Sequence, residues 1–269
     1  MREKTLALLL LSLGLLLGVA FLGTLWEEEA AVVDFTRKNL PPCREFLFGT
    51  DWLGRDMLKR TAAGLSLSIR LGLLTAFAGA VIALALGMAA ALLGAWADRL
   101  VVGLADLIMG IPHMLLLILI SYAAGKGAAG VAAGIALTHW PPLARLLRAE
   151  AAQIRTSPYV KISEKLGKSP VWIAREHLLP QLLPQFLTGL VMMFPHAILH
   201  EASVTFLGFG LPAETPAIGV ILSESMSYLM TGKWWLAVLP GIALAAAVLL
   251  FEALGQCLLR LTDPKGAHA

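Results

Sequence analysis

Apolar runs long enough to cross a bilayer follow one another through almost the whole chain, and no other feature constrains its fold as tightly. In hydrocarbon every backbone amide and carbonyl must find its partner inside the protein, so such runs fold as helices. Of the 269 residues, 58% are hydrophobic and 14% charged, and the mean hydropathy is +0.78. A soluble domain carries about a quarter charged residues. The composition therefore excludes a soluble globular class and describes an all-α, polytopic membrane protein.

The runs map onto six transmembrane helices. Thr5 to Trp26 is the first, opened by Arg2 and Lys4. A signal peptide is the alternative for so basic a start, but the apolar core is long and no A-x-A-like site closes it, so an uncleaved helix is expected. An external stretch from Glu27 to Ala63 leads to the second helix, Ser66 to Trp96, where Arg70 can snorkel to the interface. Asp98-Arg99 makes a short turn, and Leu100 to Tyr122 is the third helix, with a kink expected at Ile111-Pro112. After a loop at Gly125 to Gly130, the fourth helix runs from Val131 to Leu147 through Trp140-Pro141-Pro142. Leu182 to Phe206 and Trp234 to Leu261 are the fifth and sixth, separated by an external or partly re-entrant segment, Gly208 to Lys233. Gly79, Gly87, Gly94 and Gly134 suit close helix contact, because lipid supplies no hydrophobic drive between helices. The expected division is 1–65, a first helix with its outer segment, and 66–269, the remaining helices.

One polar interruption stands out, Ser157 to Pro180, carrying Lys161, Lys165, Lys168 and Arg175 against Glu164 and Glu176. Ser157-Pro158 should open a short amphipathic helix, with a capping side chain followed by a residue pre-set for the first turn. Gly167 should end it in the left-handed conformation, and a second short helix should run from Pro170 and stop at Pro180. With Arg145, Arg148 and Arg155, this stretch holds the densest basic bias and is assigned to the cytoplasm. Arg2, Lys4, Arg99, Arg260 and Lys265 fall on the same side, so both termini are expected to be cytoplasmic in a multi-pass protein of the cytoplasmic (inner) membrane. The basic residues of the first outer loop, Arg37 to Arg60, are diluted by seven acidic ones between Glu27 and Asp56. Cys43 and Cys257 fall on opposite sides in this map, so no disulfide between them is expected.

The short helix, Gly167, Ile173 and Leu179-Pro180 together resemble the coupling loop of ABC importer permeases. In that family a Glu-Ala-Ala run usually precedes the glycine; here Lys161-Ile162-Ser163 stand there and reverse the charge. The resemblance covers about Gly49 to Pro264. Gly49-Thr50-Asp51-Trp52-Leu53-Gly54-Arg55-Asp56 is similar to the G-T-D-x-L-G-R-D signature of the peptide and nickel branch. Glu201-Ala202-Ser203 with Phe206-Leu207-Gly208-Phe209-Gly210, then Thr215-Pro216 and Gly219, resemble its later motifs, with Ile218 in place of the usual Trp. Asp263-Pro264 matches the D-P near the family's C-terminus.

The resemblance implies a type I permease fold and a chain that binds no cofactor and is not itself an enzyme. It implies a second homologous permease, two ATPase subunits, a periplasmic or extracellular substrate-binding protein and membrane lipid as partners, and no nucleic acid. Tyr159, Val160, Lys161, Glu164, Leu166 and Gly167 would couple to the ATPase, and Asp51, Gly54, Arg55 and Asp56 would form an outer motif, Arg55 and Asp56 pairing with each other, a neighbouring subunit or the binding protein.

His139, His196 and His200 resemble positions where nickel permeases carry histidine, so the expected cargo is nickel or a small metal chelate. His196 and His200, four residues apart on one helix face, could share an ion with help from His139 or Glu201. His113, after Pro112, either faces the path or caps a broken helix, and His177 reads as a loop residue. Peptide import within the same fold is the alternative, and an ion-coupled secondary transporter, which would show internal repeats, is a third class. Gly167-Lys168-Ser169 imitates the end of a P-loop, but the glycine required five residues earlier is Ile162, so this chain should not bind ATP by that route. A zincin protease needs H-E-x-x-H, and Glu201 follows the second histidine instead.

Overall fold

The computed structural model describes residues 2–262; Asp263-Pro264, Lys265 and His268 lie outside them. Its long helices are α1 (Arg2–Leu25), α3 (Met57–Leu92), α4 (Ala95–Gly110), α5 (His113–Ala123), α6 (Gly127–Arg155), α9 (Leu179–Phe206), α10 (Ile218–Leu229) and α11 (Trp235–Thr262). Short pieces join them: α2 (Glu27–Ala30), α7 (Pro158–Lys165) and α8 (Pro170–Ile173), the last passing through a π turn, Ala174–Leu178, into α9. The all-helical class expected from the apolar runs holds, with no strand among the described residues.

The six expected spans are counted differently in the structure. Among the described residues four helices are long and apolar enough to cross a membrane, or five if α4 and α5 count as one broken span. The kink expected at Pro112 is a bend of 98°, because Pro112 supplies no amide and ends α4 instead of flexing it. Its neighbour α6 spans 29 residues. Its uncharged part contains His139, Pro141, Pro142 and three glycines, and Arg145, Arg148, Glu150 and Arg155 follow, which together hold its hydropathy down.

Other boundaries moved for local reasons. α3 begins nine residues before the expected Ser66, because the Asp56 carboxylate caps it, accepting from the amides of Leu58 at 2.8 Å and Lys59 at 3.3 Å. The helix therefore runs through the 65/66 division. The turn after it lies at Gly94, with φ +91°, and Asp98 sits inside α4. The helix opened at Pro170 does not stop at Pro180. A proline in the first turn of α9 lacks only a donor, and the π turn just before it already shifts the hydrogen-bond ladder. The segment 208–233, expected to be external or partly re-entrant, holds a helix of 12 residues, α10.

Small residues bring the long helices together. α3 packs along α6, and a Cβ on Gly87 would lie 3.0 Å from the Ala144 carbonyl oxygen and 3.2 Å from the Arg148 amide. Gly134 likewise faces neighbouring backbone and Gly79 the end of the Met193 side chain, whereas Gly94 faces open space and serves only its turn. Two large buried clusters result, beside a smaller one of Met57, Ile221, Trp235 and Leu236. One gathers Leu117, Ile135, Phe194, Ile198 and Phe251; the other gathers Trp140, Leu147, Val160, Ile173, Leu182 and Phe186 toward α7 and α8. Leu10, Leu11, Leu17 and Phe21 of α1 point outward, as lipid-facing side chains do.

Overpacking the α3–α6 contact should cost about 1–3 kcal/mol. Gly87→Val is expected to lower the melting temperature of the detergent-solubilised protein measurably, while Gly103→Ala, which meets no atom within 4 Å, should leave it unchanged or raise it.

Candidate functional site

The break between α4 and α5 opens a cavity of about 840 Å³ between these helices, α6 and α9. Its walls are mostly apolar, including Ile108, Met109, Leu143, Met192 and Met193. Four histidines enter it: His113, His139, His196 and His200. His113 is the first residue of α5, and the bend at Pro112 places it among the lining residues of the cavity. α6 carries His139 and continues past Pro141 and Pro142 without a break.

Three of the four rings touch. Ring centroids are 4.7 Å apart for His113 and His139, 4.5 Å for His113 and His200, and 4.8 Å for His139 and His200. His139 Nε2 lies 2.8 Å from His200 Nδ1. On its other side His139 Nδ1 lies 2.9 Å from the Ile135 carbonyl oxygen and 3.2 Å from Thr138 Oγ1. A carbonyl can only accept, so Nδ1 carries the proton and Nε2 presents a lone pair to the cluster. His200 Nδ1–H then donates to it.

Of the residues expected at this site, His139 and His200 meet, and His113 joins them. His196 lines the same cavity on its exposed side but stands outside the three-ring contact. Glu201 belongs elsewhere. Fully buried, it faces α3 and accepts from Ser68 Oγ at 2.6 Å and Thr205 Oγ1 at 3.0 Å. One residue along a helix turns a side chain by about 100°, which carries it off the histidine face.

The segment 49–56 folds around a second buried carboxylate. Asp51 accepts from the amides of Leu53 and Arg55, from Arg55 Nε at 2.7 Å and from Arg60 Nη1 at 2.8 Å. Arg60 reaches on to Glu224 of α10 at 3.0 Å, and Arg55 lies 3.7 Å from the same carboxylate. Arg55 thus pairs with Asp51 and Glu224; of the alternatives expected for Arg55 and Asp56, the pair between the two does not form, because Asp56 is occupied as the α3 cap. Trp52 stacks on Tyr228 with centroids 4.6 Å apart. Gly54, with φ +79°, approaches so closely that a Cβ would fall 1.8 Å from the Asp34 carbonyl oxygen. The Asp34 carboxyl itself is held below the usual carboxylate range by the Thr36 hydroxyl and amide. Sequence reasoning missed Arg60 and Glu224; no local pattern ties two charges 164 residues apart. The later motifs also meet, since a Cβ on Gly219 would lie 2.4 Å from the Ala202 carbonyl oxygen.

The projection after α6 has the expected turn: Gly167 adopts φ +75° between α7 and α8. Pro158 occupies the first helical turn, but the Ser157 side chain makes no cap bond, and Ser169 caps α8 instead through the Trp172 amide. Val160 is buried in the core beneath the projection. Glu164 pairs with Arg155 at 3.0 Å, and Tyr159 accepts from Gln181 and packs on His177. Tyr159, Lys161, Ile162, Leu166, Gly167 and Val171 are exposed, leaving a partly apolar surface.

Comparison with known proteins fits this arrangement. Residues 68–266 match the family of binding-protein-dependent transport system inner membrane components. The chain is similar to the dipeptide transport system permease protein DppC of Bacillus subtilis, 30% identical over 86% of this chain and 72% of that protein. It is also similar to the glutathione transport system permease protein GsiD of Escherichia coli O6:K15:H31, 31% identical over 86% of this chain and 76% of that protein. In fold it resembles a chain of the MetNI methionine ABC transporter in an inward-facing conformation, with a TM-score of 0.63 and 19% identity over 77% of this chain and 98% of that one.

The two carboxylates of the 49–56 segment should respond differently to truncation. Asp51→Ala leaves the buried Arg60 short of its partner and is expected to destabilise by about 3–5 kcal/mol. Asp56→Ala removes a cap worth about 1 kcal/mol, and Asp56→Asn, which still caps, should cost less. Thermal melts of the purified variants check the order.

Proposed function

The chain belongs to the family of binding-protein-dependent transport system inner membrane components, and from that premise we propose that it is the permease subunit of an ATP-driven importer of dipeptides or similar small peptides. The same premise makes it a membrane-inserted transport subunit and not a catalytic one. The observation that carries the proposal is one helix serving two regions. α9 runs from the π turn beside the exposed α7–Gly167 projection to the cavity lined by His196 and His200. From Leu179 to His196 that is about 25 Å of continuous helix. Motion imposed on the projection reaches the cavity walls through it.

The cavity suits a small peptide. Its walls are mostly apolar, as those of small-molecule pockets are. The exposed Tyr159, Ile162, Leu166 and Val171 offer the projection a surface for a separate ATPase subunit, Lys161 supplies charge there, and Val160 anchors it from below. A second permease of the same family would close the cavity's open side, and a binding protein would deliver cargo from across the membrane. The basic residues near the projection support its placement in the cytoplasm together with both termini. Nickel or a nickel chelate is the second reading, favoured by the histidine cluster alone.

In vesicles containing the permease, its ATPases and binding protein, ATP-dependent uptake of a labelled dipeptide is expected, and uptake indifferent to ATP would overturn the proposal. Gly167→Val strains the left-handed turn by about 1–2 kcal/mol, while its Cβ meets no atom within 4 Å. It should lower peptide transported per ATP hydrolysed without loss of membrane insertion; an unchanged ratio would remove the coupling role.

A further inference from the structure

We propose that His113, His139 and His200 form a site for one borderline divalent transition-metal ion, of the nickel, cobalt, zinc and copper class, which passes through the cavity as part of the cargo. The inference rests on the import reading above for its cargo clause, and on geometry alone for the site.

Each residue offers one ring nitrogen, and the three nitrogens lie within 4.8 Å of one another. An ion with metal–nitrogen bonds of about 2.1 Å holds neighbouring ligand nitrogens about 2.9–3.4 Å apart. The 2.8 Å between His139 Nε2 and His200 Nδ1 is already close to that spacing. Bringing the third imidazole in requires a shift of at most about 1.9 Å, within reach of a side-chain rotation.

The protonation pattern suits a ligand set. The Ile135 carbonyl, by accepting from His139 Nδ1–H, fixes the tautomer that points the Nε2 lone pair inward, as outer partners of metal-bound imidazoles do. His113 Nε2 is buried and has no hydrogen-bond partner. A polar nitrogen left unpaired inside a membrane protein is costly unless something else satisfies it. The proton that His200 Nδ1 now donates to His139 must leave that atom when an ion takes its place, either to the other ring nitrogen or to water.

The ligand types select the ion. Neutral imidazoles suit nickel, copper and zinc and are poor ligands for magnesium or calcium. No carboxylate belongs to the group, since Glu201 is turned toward Ser68 and Thr205. Three neutral ligands leave both the ion's charge and at least one coordination position unfilled. A closed structural site would fill them; here they face the cavity, where an amino or carboxylate group of a peptide-like chelator can complete the sphere.

The test begins with the purified full-length chain in detergent, titrated with Ni2+ and Co2+ alone. One equivalent should bind, Co2+ should develop the visible bands of imidazole coordination, and nickel-edge X-ray absorption should count three imidazoles. His113→Gln, His139→Gln and His200→Gln should each weaken binding about tenfold or more. No saturable one-to-one binding, fewer than two imidazoles in the parent protein, or unchanged affinity in all three variants overturns the site. In vesicles with the partner subunits, radioactive nickel supplied with excess L-histidine should accumulate in an ATP-dependent way; metal that binds yet stays on the permease overturns the cargo clause. ATP-driven dipeptide uptake by a chain that binds no metal removes the site and leaves the import reading standing. Metal binding by a chain that drives no ATP-dependent uptake does the reverse.

Discussion

A backbone amide in hydrocarbon has no water to bond, and the rest of this structure follows from how that demand is met. Long helices meet it along their length, and the difficulty falls on the places where a helix must end or bend. Each such place is repaired locally. Pro112 ends one helix and starts the next, the π turn before Pro180 re-registers the ladder, and Asp56 caps α3 with its carboxylate. The breaks are also where the chemistry is. The bend at Pro112 creates the cavity and turns His113 into it.

The helices meet through absence of side chains more than through large apolar contacts. Gly79 and Gly87 let α3 approach α6, and Gly134 and Gly130 let α6 approach α5. Lipid is as apolar as leucine, so close van der Waals contact between backbones replaces the hydrophobic drive of a soluble core. Polar groups are then placed with strict pairing. Glu201 and Asp51 are both fully buried, and each has its oxygens matched to hydroxyl, amide or guanidinium donors.

These two carboxylates hold the framework and leave the cavity to imidazoles. Asp51, Arg55, Arg60 and Glu224 tie the segment before α3 to α10, and Glu201 ties α9 to α3. The cavity lined by α4, α5, α6 and α9 stays free of acidic groups among its described lining residues.

Composition and apolar periodicity by themselves determined the all-helical membrane class, and the order of the motifs determined the family, because both depend on the solvent and on local sequence. The left-handed turn at Gly167 and an irregularity at Ile111-Pro112, expected as a kink, were legible for the same reason: backbone conformation is limited by the residue that adopts it. The severity of the Pro112 break, the length of α3 and the helix at 218–229 were not, since each depends on a cap or on packing against distant residues. At the site, spacing placed His196 and His200 on one face of α9, yet the structure drew His200 to His139 and His113 and left His196 at the side. It turned Glu201 away from the cavity toward Ser68 of α3 and gave Asp51 a partner network ending at Glu224. Periodicity says which residues share a face; only the packing of α5, α6 and α9 decides which faces meet.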